Sequence, residues 1–257
     1  MIDINYDFTS DSYNYWDGFW DRKEGLGAGY SDPDSESPML QEYHRVLWSR
    51  KLPNGETMDL KKGSGSNYLT WKDFRFGSDA IIVSFRYLKY KSMIDAYNKE
   101  LSDYKSYWEN LIRRAYTIGG MMIFPKHVNS MNQNKGTNKF ISDRWDLTLE
   151  CIRRHYVGEE SPLTDIIESD RNFYDLFVDF KGFVDFFFLQ DCVSSDYSKV
   201  TIWEGDGTFK RFGLPETLDG YKEFLKNQFE FLERRNQRIK DFDLSNYEKD
   251  VFKRVES

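Results

Sequence analysis

Residues 104–125 read Tyr104-Lys-Ser-Tyr-Trp-Glu-Asn-Leu-Ile-Arg-Arg-Ala-Tyr-Thr-Ile-Gly-Gly-Met-Met-Ile-Phe-Pro125. Tyr104, Trp108, Leu111, Ile112 and Ala115 recur at helical spacing, so one face of this segment is apolar. Gly119-Gly120 stops the helix. Met121-Met-Ile-Phe124 is then too short and too apolar for a surface helix, and it reads as a buried strand stopped by Pro125. This passage sets the fold class: a strong helix joined to a short strand, in a chain where such helices are many and such strands few.

Upstream, Ser37 is a suitable N-cap with Pro38 at the first helical position, opening a helix to about Ser49 with Leu40, Tyr43 and Leu47 inward. Pro53-Asn-Gly55 is a turn. Residues 61–67 read as a loop, Tyr68–Trp71 as extended, and Ala80–Phe85 as a strand or the start of a buried helix. Residues 87–117 read as largely helical with a break near Asn98. Downstream, the spacing of Ile141, Trp145, Thr148, Ile152 and Tyr156 predicts a helix over 137–156. Ser161-Pro162 opens a next helix in the manner of Ser37-Pro38, and helical segments near 162–168, 171–178 and 181–193 follow. Lys199–Trp203 reads as a strand. Residues 218–241 form a long helix, and 245–256 a polar terminal helix or a frayed end. No regular strand–helix–strand alternation appears, which argues against a doubly wound sheet. The expected fold is α+β, mainly α: a compact helical domain over 32–257 with a few short strands, preceded by an arm over 1–31.

The chain has 257 residues, with 43 Asp+Glu against 36 Lys+Arg. Residues 1–37 hold nine acids and two bases, a difference of seven that equals the net charge of -7. The remainder is balanced, so binding of nucleic acid by bulk positive charge is excluded. The arm alternates Asp, Ser and Asn with Tyr6, Phe8, Tyr13, Tyr15, Trp16, Phe19 and Trp20. Such aromatics argue that it docks on the body. No run approaches the length of a membrane span. The start lacks the basic and apolar regions of a secretion signal, so a cytoplasmic location and two reduced, buried thiols at Cys151 and Cys192 are expected. Two Cys and three His without ligand spacing give no structural zinc site, and no cofactor is indicated.

The segment Asn138–His155 is richest in chemistry. On a helix, Asp143, Asp146, Glu150, Arg153 and Arg154 fall on one broad side, flanked by Arg144 and His155. Arg144, Arg153 and Arg154 are suited to clamp phosphate or carboxylate, with Glu150 and His155 for acid–base work. Against this stands the plainer reading: Glu150 pairs along its own helix with Arg153 and Arg154. The loop 129–138, with Asn134 and Asn138, offers amide donors to a polar ligand. His44 lies one turn before Trp48, where core packing competes with a functional role. Asp32-x-Asp34-x-Glu36 has half the pattern of a calcium loop but lacks its glycine and distal Glu, which favours caps and turns. Gly119-Gly120 lacks the spacing of a phosphate-binding loop and reads as a turn or a close approach. Gln190-Asp191 is placed to pair with an arginine. Arg234-Arg235-Asn-Gln-Arg238 reads as a solvated helix end. No nucleophile elbow or activated thiol context is present.

Several blocks together resemble an uncharacterised family of bacterial proteins grouped as a domain of unknown function. They are Asp32-Pro-Asp-Ser-Glu-Ser-Pro-Met-Leu40, Tyr43-His-Arg-Val-Leu-Trp-Ser49, Tyr116–Pro125, Asp143–Tyr156, Ser161-Pro-Leu163 and Phe183–Asp191, spanning about 32–240. The resemblance implies a soluble protein of bacterial or phage source and carries no activity with it. Two functional expectations follow. One is a binding or interaction protein, for a protein partner or a phosphate-bearing small ligand, with the acidic arm as a surface for a basic partner in phage–host conflict. The other is an enzyme acting on a nucleotide or nucleic acid through the 138–155 cluster.

Overall fold

The computed structural model describes residues 2–20, 32–63, 68–82, 91–125, 141–209 and 215–242. Its helices are α1 (Tyr15–Trp20), α2 (Pro33–Glu36), α3 (Pro38–Trp48), α4 (Lys91–Asn98), α5 (Tyr104–Ala115), α6 (Trp145–Tyr156), α7 (Thr164–Ser169), α8 (Arg171–Tyr174), α9 (Phe180–Phe186) and α10 (Leu218–Asp241). Four strands, β1 (Lys61–Lys62), β2 (Leu69–Trp71), β3 (Phe74–Ala80) and β4 (Met121–Pro125), form one antiparallel sheet in sequence order. The fold is α+β and mainly α. Among the described residues no helix is long and apolar enough to cross a membrane.

The local signals work as their chemistry requires. Ser37 accepts the Leu40 amide at 3.0 Å and Pro38 sits at the first helical position of α3. The break near Asn98 separates α4 from α5, where Asp103 caps the new start. In α10, Thr217 caps through the Gly220 amide at 3.0 Å.

β4 is buried along its whole length. It pairs with β3 in the register Phe76↔Pro125 to Ala80↔Met121. On α10, Arg235 is fully buried and donates to three carbonyls: Phe187 at 3.1 Å, Gly119 at 2.7 Å and Met121 at 2.9 Å. Asn236 accepts the Gly119 amide at 2.7 Å and donates to Thr117 Oγ1 at 2.8 Å. This contact explains the glycine pair. A Cβ on Gly119 would meet Asn236 Oδ1 at 2.6 Å, and one on Gly120 would collide with the Ala115 carbonyl. Burial pushes the Arg235 guanidinium down to about 9, so it stays cationic at neutral pH. The solvated helix end expected at 234–238 holds for Arg234, Gln237 and Arg238, which are exposed, and is corrected at Arg235 and Asn236, which are buried. Arg235 faces the core, because the gap between α10 and the Gly119 turn needs a donor that reaches three carbonyls at once.

The arm docks. Phe8 and Tyr15 belong to the same buried cluster as the body. The Phe8 amide donates to the Tyr116 carbonyl at 3.0 Å, and Trp20 Nε1 donates to Glu109 at 2.8 Å. Its acids work within the chain. Asp7 caps Thr9 at 3.0 Å and pairs with Arg113 at 2.7 Å, while Asp11 accepts from Tyr6 at 2.7 Å and from Ser37 at 2.5 Å. Asp32 caps α2 through the Asp34 amide, the cap-and-turn role expected of that segment.

Several expected elements shift. The strand expected at 80–85 lies upstream, ending at Ala80; residues 83–85 fall outside the described residues. Part of the expected loop 61–67 is β1. Lys199–Trp203 is no strand: Val200 makes a single bridge to Val193, while the Thr201 and Trp203 amides are taken by the Cys192 carbonyl and Asp146. The Ser161-Pro162 pair does not open α7 directly; Ser161 accepts the Leu163 amide at 3.2 Å and the helix starts at Thr164. The arm's glycine connection, the Asn loop 129–138 and the terminal segment 245–256 lie outside the described residues.

Candidate functional site

The helix α6 begins at Trp145, with Arg144 extended as its N-cap (φ -137°, ψ 119°), so Arg144 does not share the helical face expected from a start at 137. Arg144 is buried and forms a bidentate pair with buried Asp146, at 3.1 and 2.5 Å. It also donates to the Glu204 carbonyl at 2.8 Å, and Asp146 accepts the Trp203 amide at 2.9 Å. This pair ties the 201–204 segment to α6. Asp146 therefore leaves the exposed polar face on which sequence placed it.

Glu150 accepts from Arg153 at 2.8 and 2.9 Å and from Arg154 at 2.9 Å. Burial alone would raise its carboxyl, but these two guanidinium groups outweigh burial and hold it below the usual carboxylate range. Arg153 reaches on to Glu159 at 3.0 Å, and Arg154 covers the Phe209 ring at 4.8 Å. His155 Nδ1 lies 3.0 Å from Glu168. The structure thus gathers Glu150, Arg153 and Arg154 into one network along their own helix. Arg144 and His155 have other partners. Asn134 and Asn138 lie outside the described residues.

His44 is in the core. Its Nδ1 accepts the Trp48 indole N–H at 2.9 Å, and its Nε2 lies 3.1 Å from Ser78 Oγ. The first bond fixes the tautomer: Nδ1 is bare, so Nε2 carries the proton and donates to Ser78. A ring so arranged cannot take a proton from that serine. Burial, with the charge of Arg235 added, pushes the ring down to about 3 and keeps it neutral. The Ser78–His44 contact has the spacing of a nucleophile and base but the wrong proton inventory.

A different place brings cationic and aromatic side chains together around a cleft. Between the chain leaving α3 and the 177–186 segment opens a cleft of about 580 Å³, lined among others by Arg50, Lys51, Val178, Asp179, Lys181 and Phe242. Arg50 forms its floor. Its guanidinium lies 4.4 to 4.5 Å from the rings of Phe186, Phe188 and Phe242, and it donates to the Phe186 carbonyl. Aromatic faces pack favourably against a guanidinium plane. At the rim, Lys181 pairs with Asp185, which also accepts from Tyr197 at 2.8 Å and Gln190 at 3.0 Å. Asp179 caps α9 through the Gly182 amide at 2.7 Å. The acids are thus engaged, and among the described residues Lys51 makes no ion pair. Sequence reasoning missed this site. Arg50 and Phe186 are 136 positions apart, and nothing local to either marks the pairing.

Among the described residues no group of His, Cys, Asp and Glu is placed to hold a metal ion. Cys151 and Cys192 are both buried and free, and burial raises both thiols, Cys151 to about 11. Fold and site together define a mainly helical α+β protein with an open cationic and aromatic cleft. The chain belongs to a family of unknown function (DUF6994), whose model matches residues 2–239. That match begins well before Asp32, so the docked arm is part of the family's sequence. A partial likeness joins the chain to "Altered inheritance of mitochondria protein 9, mitochondrial" of Candida albicans (strain WO-1), 32% identical over 103 residues. It covers 38% of this chain and 15% of that protein. No solved structure matches.

Proposed function

We propose that the protein is a binding protein whose ligand is an organic anion with an apolar body, seated in the Arg50 cleft. The observation that carries this reading is the guanidinium of Arg50, set among three phenylalanine rings at the floor of an open cleft with Lys51 at its rim. Aromatic walls suit an apolar body, and cations suit a carboxylate, sulfonate or phosphate. The phosphate-bearing small ligand expected from sequence is one member of this class. The enzyme reading draws less support, since Glu150, Arg153 and Arg154 are engaged with one another and His44 is neutral and buried. The arm as a surface for a basic partner also draws less support, because Asp7 and Asp11 are bonded within the chain.

Fluorescence titration with anilinonaphthalene sulfonate, an aromatic body bearing one anion, tests the reading. The expected result is saturable one-to-one binding by the native protein, weakened about tenfold in Lys51→Glu, a loss of about 1.4 kcal/mol. Displacement by adenosine monophosphate or by an aromatic carboxylate then identifies the favoured anion. Absence of saturable binding, or equal binding by Lys51→Glu, contradicts it.

A further inference from the structure

Val178 sits at the cleft with a backbone that valine seldom adopts. Its φ is 69° and its ψ -52°. The Asp179 amide donates to the Phe177 carbonyl at 2.8 Å, closing a three-residue γ-turn of the rare positive-φ kind. Among the described residues, Val178 is the only β-branched side chain at positive φ. A glycine would take this conformation freely, whereas the branched Cβ makes it costly.

The surroundings hold the turn in place. The Leu176 carbonyl accepts the Asn54 amide at 3.2 Å, Phe177 is fully buried, and Asp179 caps the next helix. Gly182 lets that helix lie against the turn, since a Cβ there would collide with the Phe177 carbonyl. None of this needs a valine. The side chain is 64% exposed, so it adds little to the core. Strain of this sort, over-determined by its neighbours, collects at ligand clamps and active sites. An exposed apolar group on a strained turn, at the wall of this cleft, is placed to meet an apolar body that enters it.

We infer that Val178 is a ligand-contacting residue of the Arg50 cleft, held against the apolar body of the bound anion by a γ-turn that weakens the free protein. The inference rests on the reading of the cleft as a binding site. Three variants and two readouts test it: thermal midpoint, and affinity for anilinonaphthalene sulfonate. Val178→Gly relieves the strain and removes the contact, so its midpoint should rise by about 2–4 °C while affinity falls about fivefold or more. Val178→Ala keeps a Cβ at positive φ, so it should lose affinity with no such rise. Val178→Ile should bind within about twofold of the native protein. Native-like binding by both the Gly and Ala variants overturns the contact. A Val178→Gly midpoint at or below the native value overturns the strain. If the native protein itself shows no saturable binding, the cleft reading and this inference fall together.

Discussion

Helix α6 and the Arg50 cleft hold the same kinds of side chain and treat them in opposite ways. On α6 every named charge meets a counter-charge close by: Arg144 with Asp146, Arg153 and Arg154 with Glu150, His155 with Glu168. In the cleft, Arg50 packs against ring faces and donates to a carbonyl, and the contrast is carried by Lys51, which makes no ion pair among the described residues. The difference teaches that density of reactive residue types along a sequence measures little. A site is marked by groups whose bonding capacity the fold has not already used.

The comparison can be broken or sharpened by substitution. The largest effect is expected at Asp146, which is buried and bonded to both Arg144 and the Trp203 amide. Asp146→Ala leaves the buried Arg144 with only the more distant Glu204 carboxylate, at 3.7 Å, and should cost about 3–5 kcal/mol in chemical denaturation. Loss below about 1 kcal/mol would show that water reaches Arg144. His44 is next. Its folded value, about 3, lies below the ordinary 6.5, so the unfolded chain takes up the proton first. Stability is full above about pH 6.5 and should fall as pH drops toward 3, by about 1.4 kcal/mol per unit from this group alone. In His44→Gln that slope should flatten. An unchanged slope would mean that the ring is not buried neutral. The smallest effect is expected at Arg154, whose side chain is 35% exposed on α6: Arg154→Ala should cost about 0.5 kcal/mol or less and leave anion binding unaltered.

Much of the fold was legible because its signals are local. Ser37 with Pro38, the helical spacing of α5, the Gly119-Gly120 stop and the long period of α10 all report on residues within a few positions of each other. That Asp191 would meet an arginine was legible from chemical complementarity, but which one was not: it is Arg238, at 2.5 and 3.1 Å. What stayed hidden depends on distant partners. Arg144 reads as a helical residue until Asp146 and the Glu204 carbonyl draw it into the cap position. Arg235 reads as solvated until the Gly119 turn, 116 positions away, supplies a carbonyl. The stretch 183–188 reads only as apolar, with no hint that its rings enclose Arg50. Val178 carries no sequence signal at all, since its interest lies in a backbone angle.

The most direct test of the account is the affinity of Lys51→Glu for anilinonaphthalene sulfonate, measured beside Arg154→Ala under the same salt. Lys51→Glu reverses a charge in the cleft, and Arg154→Ala removes one from α6. The account predicts about tenfold weaker binding for Lys51→Glu, with Arg154→Ala matching the native protein. Weaker binding by Arg154→Ala, with Lys51→Glu unchanged, would place the ligand on α6 and contradict it.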